Sequence, residues 1–181
     1  MKKLTHDEIS ANRIPKNSIE LADRMPVAVL VDSVRSAYNI GSIFRTSDGA
    51  MISKLYLTGY SPYPPNKEIL KTALGSTESV PWEYVKDPKE AVIKLRSEGY
   101  KICALELTED SRKYSDVPES DFPLALIVGN EITGVAQPLL DMCDFSLEIP
   151  QYGIKQSLNV AVAYGVAIFE LRKIYDSIRR K

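Results

Sequence analysis

"IPQYGIKQSLNVAVAYGVAIFE", residues 149–170, changes character at Ser157, where a loop-like stretch gives way to an almost wholly apolar run. From Ser157 to about Arg179 the spacing predicts the longest helix of the chain, with Leu158, Val162, Val166 and Phe169 recurring at helical intervals. Ser157 is placed to cap it, a role worth about 1 kcal/mol. Asn159 then falls in the first turn of a helix that reads as buried. An amide buried without partners costs about 1–3 kcal/mol, so Asn159 should face bonded groups.

Upstream of that helix, short apolar or β-branched runs recur: "VAVLVDSV" (27–34), "KLYLTGY" (54–60), "KICALEL" (101–107), "PLALIVGN" (123–130) and "FSLEIP" (145–150). Each reads as a buried strand. Between them lie the helical patterns "NIGSIFRTSDGA" (39–50), "DPKEAVIKLRSEG" (87–99) and "GVAQPLLDMC" (134–143), the second opening on an Asp cap and closing at Gly. Strand and helix alternate, which predicts an α/β fold: a mostly parallel sheet with helices on both faces. "GYSPYPPNKE" (59–68) reads as a proline-rich loop. Residues 1–25 are polar and weakly patterned, an N-terminal extension ahead of one domain over residues 26–181.

At 181 residues the chain can bury about two thirds of its unfolded surface around one core. Its 44% hydrophobic and 26% charged residues are ordinary globular usage, and no apolar run is long enough to span a bilayer. The start, "MKKLTHDEISANRIPKNS", has lysines but no apolar core behind them, unlike a secretory signal. Cys103 and Cys143 lack CxxC or Cys/His spacing, which disfavours a zinc site and fits a reducing cytoplasm. The lone histidine, His6, falls in the polar extension.

A net charge of −1 argues against coating nucleic acid by bulk charge, although local patches remain. Arg172, Lys173, Arg179, Arg180 and Lys181 crowd the last helix, where they either complement its dipole or touch RNA. Charge alone does not separate the two.

Ligands of an open parallel sheet bind outside the carboxyl ends of its strands. Three such ends carry unusual polar residues: "ALELTED" (104–110), "VGNEITGV" (128–135) and "IPQYGIKQSLN" (149–159). "VDSVRSAYNIGS" (31–42) lacks the glycine pattern of a dinucleotide fold, and no phosphate-binding loop with Lys-Ser or Lys-Thr occurs.

Taken together, "NIGSIFRTSDGA", "VGNEITGV" and "IPQYGIKQSLNVAVAYG" resemble the three ordered motifs of the SpoU family of RNA 2′-O-ribose methyltransferases, in the SPOUT superfamily. The resemblance runs from about residue 27 to the end of the chain. It implies a C-terminal deep trefoil knot, S-adenosylmethionine bound in a bent shape, no metal, and a homodimer whose active site draws on both subunits. It assigns Arg45 to the reacting ribose and its phosphate, Asn39 and Glu131 to ordering the site, and Ser157 and Asn159 to the catalytic centre beside the methyl donor. Carried over likewise are the cofactor positions Leu105, Glu106, Gly129, Ile149 and Leu158, acting mainly through main-chain groups, with Gly129 admitting the adenosine. Isolated, the same residues are a capping Asn, a surface Arg and a loop-capping Glu. Lys67 and Lys71 are further candidates for RNA phosphate. The expected substrate is structured RNA, tRNA ahead of rRNA because no separate N-terminal RNA-binding domain precedes the motifs. The competing expectations are a non-catalytic RNA-binding module on the same fold and a binder of another adenosine-containing molecule.

Overall fold

The computed structural model describes residues 1–180, apart from the side chains of residues 16 and 17. Seven strands form one sheet: β1 (Met25–Asp32), β2 (Ile52–Thr58), β3 (Trp82–Val85), β4 (Lys101–Leu105), β5 (Arg112–Lys113), β6 (Leu124–Val128) and β7 (Phe145–Glu148). Their order is β3-β2-β1-β6-β4-β7-β5, and every neighbouring pair is parallel. The helices are α1 (His6–Ala11), α2 (Ala37–Ala50), α3 (Lys67–Ala73), α4 (Ser76–Ser79), α5 (Pro88–Ser97), α6 (Gln137–Leu140) and α7 (Val160–Arg179).

Strand alternation splits the core in two. Val27, Val29 and Val31 of β1 point to one face, where Phe44 of α2, Ile69 of α3 and Ile168 of α7 cover them. Ala28 and Leu30 point to the other, under Val92 and Leu95 of α5 and Leu139 of α6. This is the expected α/β arrangement, a parallel sheet covered on both faces. Ile40, Ile43, Phe44, Ser47 and Ala50 form the buried stripe of α2. Ser36 Oγ caps that helix by accepting from Asn39 N–H at 3.3 Å. In the first layer the Ser47 and Tyr164 hydroxyls lie 2.7 Å apart, tying α2 to α7 inside an otherwise apolar core.

Two expectations need correction. Helix α7 begins at Val160, and its cap is Asn159, whose Oδ1 accepts from Ala161 N–H at 2.9 Å and Val162 N–H at 3.3 Å. Ser157 stays in the preceding loop, and Asn159 is exposed rather than buried within a helical turn. The four spaced apolar residues also do not face the sheet: Leu158, Val162, Val166 and Phe169 are 37–53% exposed, while Tyr164, Ala167, Ile168 and Leu171 fill the core. The helix is apolar on two sides, and helical spacing alone does not say which of them meets the sheet.

Helix α3 and strand β3 fall in a stretch without a predicted element. Asn66 starts α3, its Oδ1 accepting from Glu68 N–H at 2.9 Å, and β3 is a four-residue edge strand too short to show a period. Helix α1 buries none of its residues. The end of that N-terminal segment is nevertheless tied down: Arg24 donates to the carbonyls of Ile52 (3.2 Å) and Ser79 (2.7 Å). No helix among the described residues is long and apolar enough to cross a membrane.

Candidate active site

The carboxyl ends of β4, β6 and β7 open onto one cavity of about 730 Å³. Its walls are residues 105–107, the loop 128–134 and the loop 147–158. Loop 128–134 turns sharply after β6. The Asn130 and Gly134 main chains exchange two hydrogen bonds (3.0 and 2.9 Å), and Asn130 Oδ1 accepts from Ile132 N–H (2.9 Å) and Thr133 N–H (3.2 Å). Gly129 is required by this turn, since a Cβ there would come within 2.3 Å of the Gly134 main chain. Its smallness thus serves the protein's own backbone, and the residue also lines the cavity. Gly134 has φ +67°, and a Cβ would strike the Glu106 carboxylate.

Besides lining the cavity, Glu106 has a structural role through its side chain. Its Oε2 accepts from Val135 N–H at 2.9 Å and its Oε1 from Leu107 N–H at 3.1 Å, fastening the end of β4 to the turn after β6.

A relay of hydrogen bonds joins the three motif segments beside the cavity. Glu131 accepts from Arg35 N–H (2.9 Å), Ser36 N–H (3.0 Å) and Asn39 Nδ2 (2.9 Å), all at the N-terminal end of α2. Asn39 Oδ1 in turn accepts from Asn159 Nδ2 at 3.2 Å, while Asn159 Oδ1 caps α7. Both ends of each amide are used, which answers why a polar residue opens an apolar helix. Partial burial pushes the Glu131 carboxyl up, but the hydrogen bonds from Arg35, Asn39 and Ser36 outweigh it, so the group sits below the ordinary carboxylate range.

All five expected cofactor positions, Leu105, Glu106, Gly129, Ile149 and Leu158, line the cavity, as do Glu131 and Ser157. Asn39 and Asn159 reach it through the relay. Arg45 does not. It lies on the exposed side of α2 in a separate groove with Ser42, Lys71, Leu74 and Phe169. Asn39 and Arg45 are six helical residues apart, so they point about 120° away from each other. Of the C-terminal cations, Arg172 pairs with Asp176, Lys173 with Glu170 and Arg179 with Asp23. Lys181 lies outside the described residues.

Asn130 escaped the sequence reading although it organises the cavity turn. Its Nδ2 also donates to the Ser33 carbonyl at 2.8 Å and to Tyr60 Oη at 3.0 Å. An Asn two residues past β6 and directly before Glu131 was the available signal, since such side chains build turns from their own backbone.

The cavity suits a cationic cofactor of S-adenosylmethionine's size. Its volume falls within the range of small-ligand sites. Three carboxylates, Glu106, Glu131 and Glu148, line it against one cation, Lys155. Among the described residues no cluster of His, Cys, Asp or Glu could hold a metal ion.

The family described as the SpoU rRNA Methylase family matches residues 26–169. A tRNA (guanosine(18)-2′-O)-methyltransferase of Aquifex aeolicus is 32% identical over 146 residues, covering 80% of this chain and 68% of its own length. A 23S rRNA (guanosine(2553)-2′-O)-methyltransferase of Bacillus subtilis is 35% identical over 144 residues, covering 80% of this chain and 57% of its own. The crystal structure of an S-adenosylmethionine-bound rRNA methyltransferase from Sinorhizobium meliloti matches with a TM-score of 0.76 at 30% identity, over 83% of this chain and 57% of that one. This chain therefore spans little more than half the length of the last two.

Proposed function

Because this chain belongs to the SpoU family of RNA methylases, we propose that it transfers a methyl group from S-adenosylmethionine to a ribose 2′-hydroxyl of structured RNA. The observation that carries this is the relay from Glu131 through Asn39 to Asn159, which brings all three motif segments to the rim of one cavity. The named relatives divide between tRNA and 23S rRNA. We take tRNA as the first substrate to try and rRNA as the second, both of which fit a cytoplasmic protein.

The cofactor, when bound, supplies a methyl group activated by its sulfonium. The chain's part is to place the hydroxyl in line with it and to keep water out. Leu105, Ile149 and Leu158 wall the cavity, and its carboxylates favour the cofactor's positive charge. Glu131 is a poor base here, since three donors hold it ionised and occupied. Its role is to fix the start of α2 against the cavity turn, with Ser157 and Asn159 placing the loop before α7. Arg45 serves as an orienting cation for the substrate phosphate and the developing oxyanion.

The position of Arg45 outside the cavity supports a reading in which a second subunit takes part. The exposed apolar stripe of α7 supplies the surface for a homodimer, and Phe169 of that stripe shares the Arg45 groove. Arg45 of one subunit then serves the cavity of the other. The same proposal takes residues 26–181 as the methyltransferase domain, residues 1–25 as an extension docked through Arg24, and the C-terminal part as threaded into a trefoil knot.

The test is transfer of labelled methyl from S-adenosylmethionine to unmodified tRNA and rRNA pools. Labelling of one pool by the wild type, with the rate reduced about 10²–10³-fold in Arg45→Ala, is expected. A wild type that binds the cofactor and one of the RNA pools but labels neither is instead the non-catalytic RNA-binding module.

A further inference from the structure

We propose that Tyr60 is a stacking platform for an unpaired nucleobase of the RNA, with Arg35 beside it as a phosphate contact. This rests on the methyltransferase reading above and adds a residue that recognises the substrate.

Tyr60 is 65% exposed, yet it is held in place from three sides. Its hydroxyl accepts from Asn130 Nδ2 at 3.0 Å, and Asn130, only 8% exposed, is the residue that builds the cavity turn. Before it, the Gly59 carbonyl accepts from Tyr84 Oη at 2.7 Å and its N–H donates to the Lys86 carbonyl at 3.3 Å, which holds the backbone. After it, the buried Ser61 accepts from Val34 N–H at 3.0 Å and donates to the Val31 carbonyl at 3.2 Å. An aromatic ring fixed at its tip and on both backbone sides, but left open to solvent, is prepared to stack at little cost in entropy. Nothing in the fold requires its exposed area.

The ring is also in the right place. Asn130 joins it to the Ser33 carbonyl, and two residues on, Arg35 N–H binds Glu131. The Arg35 side chain is exposed and has no ion-pair partner among the described residues. Tyr63, half exposed in the same loop, is stacked on Tyr84 with ring centroids 4.4 Å apart. An exposed aromatic bonded to Asn130 of the cavity wall, with an unpaired arginine on the segment that Asn130 and Glu131 bind, matches how proteins grip splayed-out bases and their backbone. A nucleobase is favoured over a second copy of this chain because this rim is mixed aromatic and cationic, whereas the apolar α7 stripe already offers a surface for self-association.

The experiment measures affinity for the RNA pool that the wild type methylates, with Tyr60→Ala, Tyr60→Phe and Tyr60→Trp. Tyr60→Ala should weaken RNA binding about 5- to 100-fold while leaving S-adenosylmethionine binding unchanged. Tyr60→Phe should stay within about twofold of the wild type, because the ring remains. Tyr60→Trp should lose indole fluorescence when RNA is added, beyond any change from Trp82, the one native tryptophan. Wild-type RNA affinity in Tyr60→Ala overturns the inference while leaving the methyltransferase reading intact. So does Tyr60→Phe falling as far as Tyr60→Ala, which would assign the effect to the hydroxyl bond. So does Tyr60→Ala dissociating into monomers, which would place the ring in a subunit interface. A wild type that neither binds nor methylates any RNA removes both readings.

Discussion

The working unit at the residue scale is a carboxylate that is kept from being a base. Glu131 receives two backbone donors and one amide, so its negative charge is spent on ordering the start of α2. This makes a pH prediction whose sign is fixed. A carboxyl lowered from its usual 4.5 in the folded state contributes stability that is complete above that value and is lost as pH falls through the lower folded value. Denaturant midpoints of wild type and Glu131→Gln should therefore differ by a constant amount from neutral pH down to about 5.5, and converge below about 4.5. A gap that instead widens on acidification would mean that Glu131 is protonated more readily in the fold than out of it. The motif pattern was enough to single out Asn39, Glu131 and Asn159, but not their bonding order, because that depends on how loops from three distant segments pack. It missed Asn130, whose side-chain partners Ser33 and Tyr60 are 97 and 70 positions away.

Among the elements, α7 shows where pattern and structure part. Its length and apolar character were readable, but two apolar faces left the choice of buried side open, and the reading put the cap at Ser157, two positions before the Asn that caps the helix. The bond to Asn39 settles the cap, since it fixes Asn159 beside α2. Two variants separate the cap from the relay. Asn159→Asp keeps an acceptor for Ala161 and Val162 but loses the donor to Asn39, so thermal stability should stay near wild type while kcat/KM falls at least about tenfold. Asn159→Ala should lose both, with about 1 kcal/mol of stability gone as well. Equal activity in Asn159→Asp and wild type would reduce the residue to a helix cap. The strands were read to within about two residues because parallel strands buried on both faces are nearly continuous apolar runs. Strands β3 and β5 were not, being edge strands of four and two residues, the first with Glu83 in its middle and the second wholly charged.

On the scale of the whole molecule, the proposed homodimer would account at once for the exposed stripe of Leu158, Val162, Val166 and Phe169 and for Arg45 lying outside the cavity. Val166→Asp places a charge in that stripe without touching the cavity or the relay. Sedimentation should show a monomer that still binds S-adenosylmethionine and has lost methyl transfer. A Val166→Asp protein that remains dimeric would move the interface elsewhere on the surface. Neither the proposed dimer nor the proposed knotted threading is legible in composition or periodicity, which report what each segment buries and not how segments pass one another. Both entered through the motif resemblance alone.

The most direct measurement is the chemical position of the transferred methyl. RNA from the wild-type reaction would be digested to nucleosides and analysed by mass spectrometry, with Arg45→Ala alongside. The proposed function requires a nucleoside carrying the added mass on the ribose, formed by the wild type and nearly absent from the variant. A methyl group on the base, or a ribose methyl formed equally well without Arg45, would contradict it.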